Sequence, residues 1–216
     1  IADVQAEGIL AEIADPNVNM DEMKLQKVPR LAVYAPKTIL PWDDAVTLAL
    51  TYAEIPYDII YDDEVMDGVL PTYDWLHMHH EDFTGQYGKF WARYRNYPWY
   101  QEDVKKQEET AQRHGYNKVS QLKLAVVKKI RDFVAGGGYL FSMCSAPDSF
   151  DVALAADGLD ICDVMFDGDP ITPGDPDRLN YDNCLAFTDF TVSVNPQEYE
   201  ISDIDVTLHR SRSVKE

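Results

Sequence analysis

The run Gly136-Gly137-Gly138-Tyr139-Leu140-Phe141-Ser142-Met143-Cys144-Ser145-Ala146-Pro147 restricts the possible folds of this chain more than any other stretch. Three glycines, a short apolar segment and a Pro suited to the first turn of a helix predict a buried strand that turns through Cys144 straight into a helix. Such a junction is the local geometry of a nucleophile elbow. The reactive residue sits on a sharp turn at the carboxyl end of a strand, and the residues two before and two after it are small because strand and helix backbones converge there. Here those residues are Ser142 and Ala146. A helix starting behind Cys144 would point its first N–H groups and the positive end of its dipole at the sulfur, favouring thiolate and offering an oxyanion site. The alternative reading makes Cys144 a small apolar residue ending a strand, since free Cys is among the most buried residue types.

The elbow needs a sheet around it. Residues 31–35 form a continuous apolar run typical of a strand buried on both faces. A loop at 36–42 leads to a helix over 43–50, with Asp43 as N-cap. Strands are predicted over 57–61 and 73–78. A helix is predicted over 119–134, with Leu122, Val126, Ile130 and Phe133 on one side and Lys123, Lys128, Lys129 and Arg131 opposite. Strand four precedes Cys144, and residues 184–194 suggest one or two added strands. Strands alternating with helices predict right-handed crossovers and a mostly parallel sheet with helices on both faces. Ligands in such sheets bind beyond the carboxyl ends of the strands. The loop at 36–44, the segment after Met78 and the Cys144 elbow all end there. Residues 1–30 read as an amphipathic helix (2–14) and a polar connector, and 31–216 as the α/β domain, continuing past both ends of the sequence. Residues 157–182, rich in Asp, Pro and Gly, read as a solvated, turn-rich excursion without the ligand spacing of an EF-hand.

Composition narrows the function. A formal net charge of -19 argues against nucleic acid, because phosphate binding needs clustered Lys and Arg. No apolar run approaches the roughly 20 residues of a membrane span. Cys144, Cys162 and Cys184 match no zinc or disulfide framework, and no cofactor is called for.

A second constellation is His77-Met78-His79-His80-Glu81-Asp82. Alternation along a strand turns His77 and His79 the same way and starts a loop at His80. The cluster admits three readings: a transition-metal site, a set of satisfied structural side chains, or a polar cluster facing Cys144 in which His80 acts as base and Glu81 orients substrate. The metal reading meets a departure from the His-x-His-x-Asp-His order of metallo-β-lactamase-like hydrolases, and no tightly bound metal is expected. The aromatics that follow, from Phe83 through Tyr87, Phe90, Trp91, Tyr94 and Tyr97 to Trp99 and Tyr100, are too many to leave in water. They predict either a lid over the sheet end or a face packed against a partner.

The strand, Cys elbow and helix after a β-α-β-β order resemble the class I glutamine amidotransferase-like, flavodoxin-like fold. Pro41-Trp42-Asp43-Asp44-Ala45-Val46-Thr47-Leu48 together with Leu76-His77-Met78-His79-His80-Glu81-Asp82-Phe83-Thr84-Gly85-Gln86-Tyr87 is similar to a family of secreted Bacteroidota proteins often labelled asparagine synthetase B. That resemblance implies an exported protein of the periplasm or cell envelope, with a cytoplasmic location as the alternative. The N-terminal Cys and the Ser-Gly-Gly-x-Asp-Ser loop of asparagine synthetase B itself do not stand in the chain. The amidotransferase elbow Gly-x-Cys-x-Gly is matched only as Ser142-Met143-Cys144-Ser145-Ala146, and the sole later His, His209, is followed by Arg210 and Ser211 rather than a His-x-Glu pair. Two functions follow, with a metal-dependent hydrolase at the cluster from His77 to Asp82 as a further alternative. One is a non-catalytic or divergent relative working in an envelope assembly, using the aromatic segment at 83–100 to hold another envelope protein. The other is a hydrolase or amidotransferase with Cys144 as nucleophile and His80 or Glu81 nearby.

Overall fold

The computed structural model describes residues 28–36 and 45–205. Four strands, β1 (Leu31–Tyr34), β2 (Tyr57–Ile60), β3 (Trp75–Met78) and β4 (Tyr139–Ser142), form an all-parallel sheet in the order β2-β1-β3-β4. Seven helices accompany them: α1 (Ala45–Tyr52), α2 (Asp62–Met66), α3 (Trp91–Tyr94), α4 (Pro98–Arg113), α5 (Val119–Ala135), α6 (Ala146–Ala155) and α7 (Val164–Asp167). The chain is thus α/β, and no described helix is long and apolar enough to cross a membrane. The expected N-terminal helix, the Asp43 cap and His209 lie outside the described residues.

Strand alternation sorts the sheet into two faces. Ala32, Tyr34, Ile60, Leu76 and Met78 turn one way and share a core with Leu122, Val126 and Ile130 of α5 and Phe150 and Leu154 of α6. Burying each large aliphatic side chain of this kind contributes about 2 kcal/mol. The opposite face, in register across the strands, carries Tyr57, Leu31, Trp75 and Tyr139 in one row and Ile59, Val33, His77 and Phe141 in the next. Helix α1 meets this face at Tyr57, whose hydroxyl lies 3.0 Å from Thr51 Oγ1 and donates to the Thr47 carbonyl at 3.4 Å. Toward β4, Trp75 meets Tyr139 edge-on and His77 stacks on Phe141, and both Tyr139 and Phe141 remain exposed.

Several expectations need correction. The strand before Cys144 is not the buried one predicted: β4 lies at the edge of the sheet among the described residues, with Tyr139 and Phe141 exposed. Lys123 does not face solvent. It is 1% exposed, with its ammonium 2.8 Å from Asp62 Oδ2 and within reach of the Tyr34 and Tyr61 hydroxyls at 3.3 and 3.2 Å. The buried stripe of α5 is wider than the sequence reading allowed, since Val119 and Val127, one turn either side of Lys123, are also buried. Residues 184–194 form no strand beyond a single antiparallel bridge, Val192 to Ser202. The carboxylate of buried Asp151 accepts the N–H groups of Leu185, Ala186 and Phe187, all at 2.8 Å, so these donors need no ladder. Residues 157–182 are less solvated than expected, with Ile161, Cys162, Phe166 and Asp175 buried. Finally, α4 occupies a stretch expected to be loop. Its composition is polar and only Tyr100 and Ala111 are buried, so no apolar period announces it. Pro98 in its first turn and the exposed Glu102–Lys106 and Lys105–Glu109 pairs were the available signals.

Candidate active site

Cys144 has φ +57°, the left-handed region that a non-Gly residue enters at a cost of order 1 kcal/mol or more. The strain is held from both sides. Met143 N–H continues the parallel ladder to the Met78 carbonyl at 3.2 Å, and Ala146 N–H reaches the His79 and Met143 carbonyls, each at 3.3 Å. Ala146 is fully buried at this convergence, which explains why the position is small. Helix α6 begins at Ala146 with Pro147 in its first turn, and the Cys144 thiol is exposed above it. Of the donors expected near the sulfur, Ala146 N–H is thus occupied and Pro147 has none. The N–H groups of Ser145 and Asp148 show no hydrogen bond to a described residue, and Ser145, next to Cys144 in the chain, offers a donor for an oxyanion.

Beside the elbow lies a groove of about 260 Å3, lined by His80, Asp82, Phe90, Ser145, Asp148 and Tyr199 among others. His80 is exposed there, against the His79 ring at 3.9 Å. No hydrogen bond joins Cys144 to an imidazole among the described residues. Tyr199 sits close enough that its hydroxyl pKa, raised first by burial, is raised further by charge at Cys144. Asp148 accepts the Ser202 hydroxyl at 2.6 Å, and burial pushes its carboxyl up to about 6. The sequence reading missed both residues. Asp148 could have been found as an acid in the first turn after the elbow, whereas nothing near Tyr199 pointed to it.

Glu81 turns inward rather than into the groove. Its Oε2 accepts the N–H groups of His79 and His80, both at 3.0 Å, so the carboxylate shapes the turn that presents His80. Burial pushes its pKa up to about 7, against the lowering by those N–H groups and by Lys123. The folded state therefore holds a proton that the unfolded state has lost. Stability falls as pH rises from the ordinary carboxylate range through about 7. Glu81→Gln keeps an acceptor and removes the charge. Relative to the wild type, its stability should grow by about 2 kcal/mol between about pH 5 and about pH 8. Urea unfolding at both pH values checks this, and a pH-independent difference would contradict it.

Asp82 is likewise committed, accepting from Thr84 N–H and Oγ1 and from Gly88 N–H. His77 and His79 do share a direction, their rings 5.8 Å apart. The described groups whose ligand atoms converge within 4.8 Å lie elsewhere, at Asp160, Cys162 and Asp167. There the Lys118 ammonium already stands 2.8 Å from Asp167 and 3.6 Å from Asp160. Of the predicted aromatics, Phe83, Tyr87 and Tyr100 join the core, Phe90 borders the groove, and Tyr97 and Trp99 are exposed.

Compared with known proteins, the chain matches no family model, no curated protein and no solved structure. The site is accordingly read from its own geometry.

Proposed function

We propose that Cys144 is the nucleophile of a cysteine-dependent acyl transfer on an amide, in a divergent relative of the glutamine amidotransferase-like, flavodoxin-like fold. The observation that carries this reading is the left-handed, strained backbone of an exposed Cys at a strand-to-helix turn. A thiol serving only as packing has no use for that strain or that exposure. The strand order β2-β1-β3-β4 supports the fold assignment, being the first four positions of a doubly wound 2-1-3-4-5 sheet. In the reaction, Sγ bonds to the carbonyl carbon and the oxygen gathers charge toward Ser145 N–H. The amine then leaves with a proton carried by His80, the groove imidazole, and water cleaves the thioester to restore the thiol. His80 would close on the sulfur only with substrate bound, as catalytic hydrogen bonds often do. The resemblance of residues 41–48 and 76–87 supports a periplasmic or envelope location.

Alkylation tests the nucleophile. Cys162 is buried with its thiol pushed up by burial, and Cys184 is pushed up to about 12 by burial and by Asp151. Iodoacetamide near neutral pH should therefore modify Cys144 first, by about tenfold or more. Mass mapping that finds the three thiols equally labelled would sink the proposal.

A second reading, an assembly role through the aromatic segment at 83–100, is favoured by the exposed rings of Tyr97 and Trp99. Loss of a co-purifying envelope partner on Trp99→Ala, with amide turnover absent from the wild type, would select it.

A further inference from the structure

A second strained segment borders the groove beside the elbow. Tyr87, Gly88 and Lys89 stand in succession at φ +52°, +68° and +58°. Residues with side chains visit the left-handed region singly, so three in a row is a conformation that the surroundings must hold in place. Two contacts depend on it. The Phe90 ring lies over Gly88, where a Cβ would come within 2.9 Å of it. Lys89 turns inward, 2% exposed, and its ammonium donates to the Ser193 and Asn195 carbonyls at 2.8 and 3.0 Å. Those carbonyls begin a return of the chain that Ser193 N–H closes on the Ile201 carbonyl at 2.9 Å. One residue further, Ser202 Oγ donates to Asp148, in the first turn of α6, at 2.6 Å. The return is thus fastened at both ends, by Lys89 to the strained turn and by Asp148 to the helix behind Cys144. It carries Tyr199. That ring packs against Phe90 at 6.0 Å and lines the groove together with Ser145. Its hydroxyl makes no hydrogen bond to a described residue and senses charge at Cys144.

We propose that Tyr199 is a catalytic residue, its hydroxyl donating to the oxyanion beside Ser145 N–H, and that Lys89 is the positioning residue that holds it there. The oxyanion role rests on the nucleophile reading, whereas the fastening of Tyr199 by Lys89 does not. Donors stabilise a developing oxyanion best when their direction is set before the reaction begins. Ser145 N–H meets that requirement through the elbow backbone. A phenol on a freely moving loop would not, and the fastened return removes that freedom. The strain at residues 87–89 then has a use, since it aims the Lys89 ammonium under the carbonyls that begin the return. Burial and the neighbouring charges keep the phenol protonated near neutral pH, as a donor must be.

Two reagents separate this role from an effect on the thiol itself. Acylation by p-nitrophenyl acetate passes through an oxyanion: Sγ bonds to the ester carbonyl carbon, the carbonyl electron pair collects on oxygen and returns to expel p-nitrophenolate, and the thiol proton goes to water. Alkylation by iodoacetamide displaces iodide at a saturated carbon and forms no oxyanion. Mass mapping of Cys144 gives both rates. Tyr199→Phe keeps the ring and should slow acylation about tenfold or more, while changing alkylation by less than about twofold. Lys89→Met should slow acylation to a similar degree, and adding it to Tyr199→Phe should cost little more, because both act through one hydroxyl. Equal slowing of the two reagents by Tyr199→Phe, or unchanged acylation, would overturn the catalytic role. Acylation at full rate in Lys89→Met would overturn the positioning role, and Lys89→Gln takes its place if the Met variant does not fold. A wild type whose Cys144 alkylates no faster than Cys184 defeats the nucleophile reading, and the oxyanion role falls with it. A preferred Cys144 whose acylation ignores Tyr199→Phe defeats this inference alone.

Discussion

Lys123→Met is expected to destabilise the protein by about 3–5 kcal/mol, because it leaves Asp62 as an uncompensated charge inside the core. Both side chains are 1% exposed, and the ammonium reaches both Asp62 oxygens, at 2.8 and 3.1 Å. The carboxylate also takes the Tyr34 hydroxyl, and the ammonium lies 4.4 Å from the centre of the Tyr61 ring. Burial raises the pKa of both phenols and Asp62 raises it further, while the ammonium is held charged by Asp62 and Tyr61 against the cost of burial. The pair as a whole is worth much less than either half. A Lys123→Met, Asp62→Leu double variant should recover most of the loss, since well-packed apolar residues often replace a buried ion pair at little cost. Urea unfolding of the wild type, both single variants and the double variant measures the cycle. A loss below about 1 kcal/mol in Lys123→Met would mean that water reaches the site.

The second large effect separates strain from chemistry at a single residue. Cys144→Gly relieves a backbone at φ +57° and should stabilise the fold by about 1 kcal/mol. It should also abolish amide turnover, lowering it by about a thousandfold or more. Cys144→Ala serves as the control, because it removes the sulfur and retains the strain, so it should lose turnover with no gain in stability. Urea midpoints give the first quantity, and ammonia release from glutamine and a panel of primary amides gives the second. If Cys144→Gly were less stable than Cys144→Ala, the conformation would owe nothing to strain, and the elbow reading would fail with it.

The local rules reached the sheet and the elbow because both are written in consecutive residues. Leu31-Ala32-Val33-Tyr34 declares a buried strand, and the small Ser142 and Ala146 around Cys144 declare a tight turn. What escaped them depends on residues far apart in the chain. Lys123 reads as a surface cation until Asp62, 61 residues away, supplies its counter-charge. The N–H groups of Leu185, Ala186 and Phe187 read as strand donors until Asp151 accepts them. The groove followed the same pattern. His80 could be picked from its cluster and Asp148 from the first turn after the elbow, but Tyr199 meets them only after the chain returns from α6. Glu81 carried the opposite error: its type suited a catalytic site, and its direction was fixed by the backbone donors of its own turn.

Strand β4 is at the edge of the sheet among the described residues, and its sequence Tyr-Leu-Phe-Ser contains no charge and no proline. Such an edge is an open template for a strand from another molecule, and nothing in its own residues discourages the match. The restraint is colloidal and belongs to the chain as a whole. With a net charge of -19, two copies repel before their edges can meet, over a range of about 8 Å at physiological salt. That protection is conditional on pH, while the edge is not. Near the isoelectric point of about 4.4 the repulsion is gone. Acid would then favour strand-linked association of this protein.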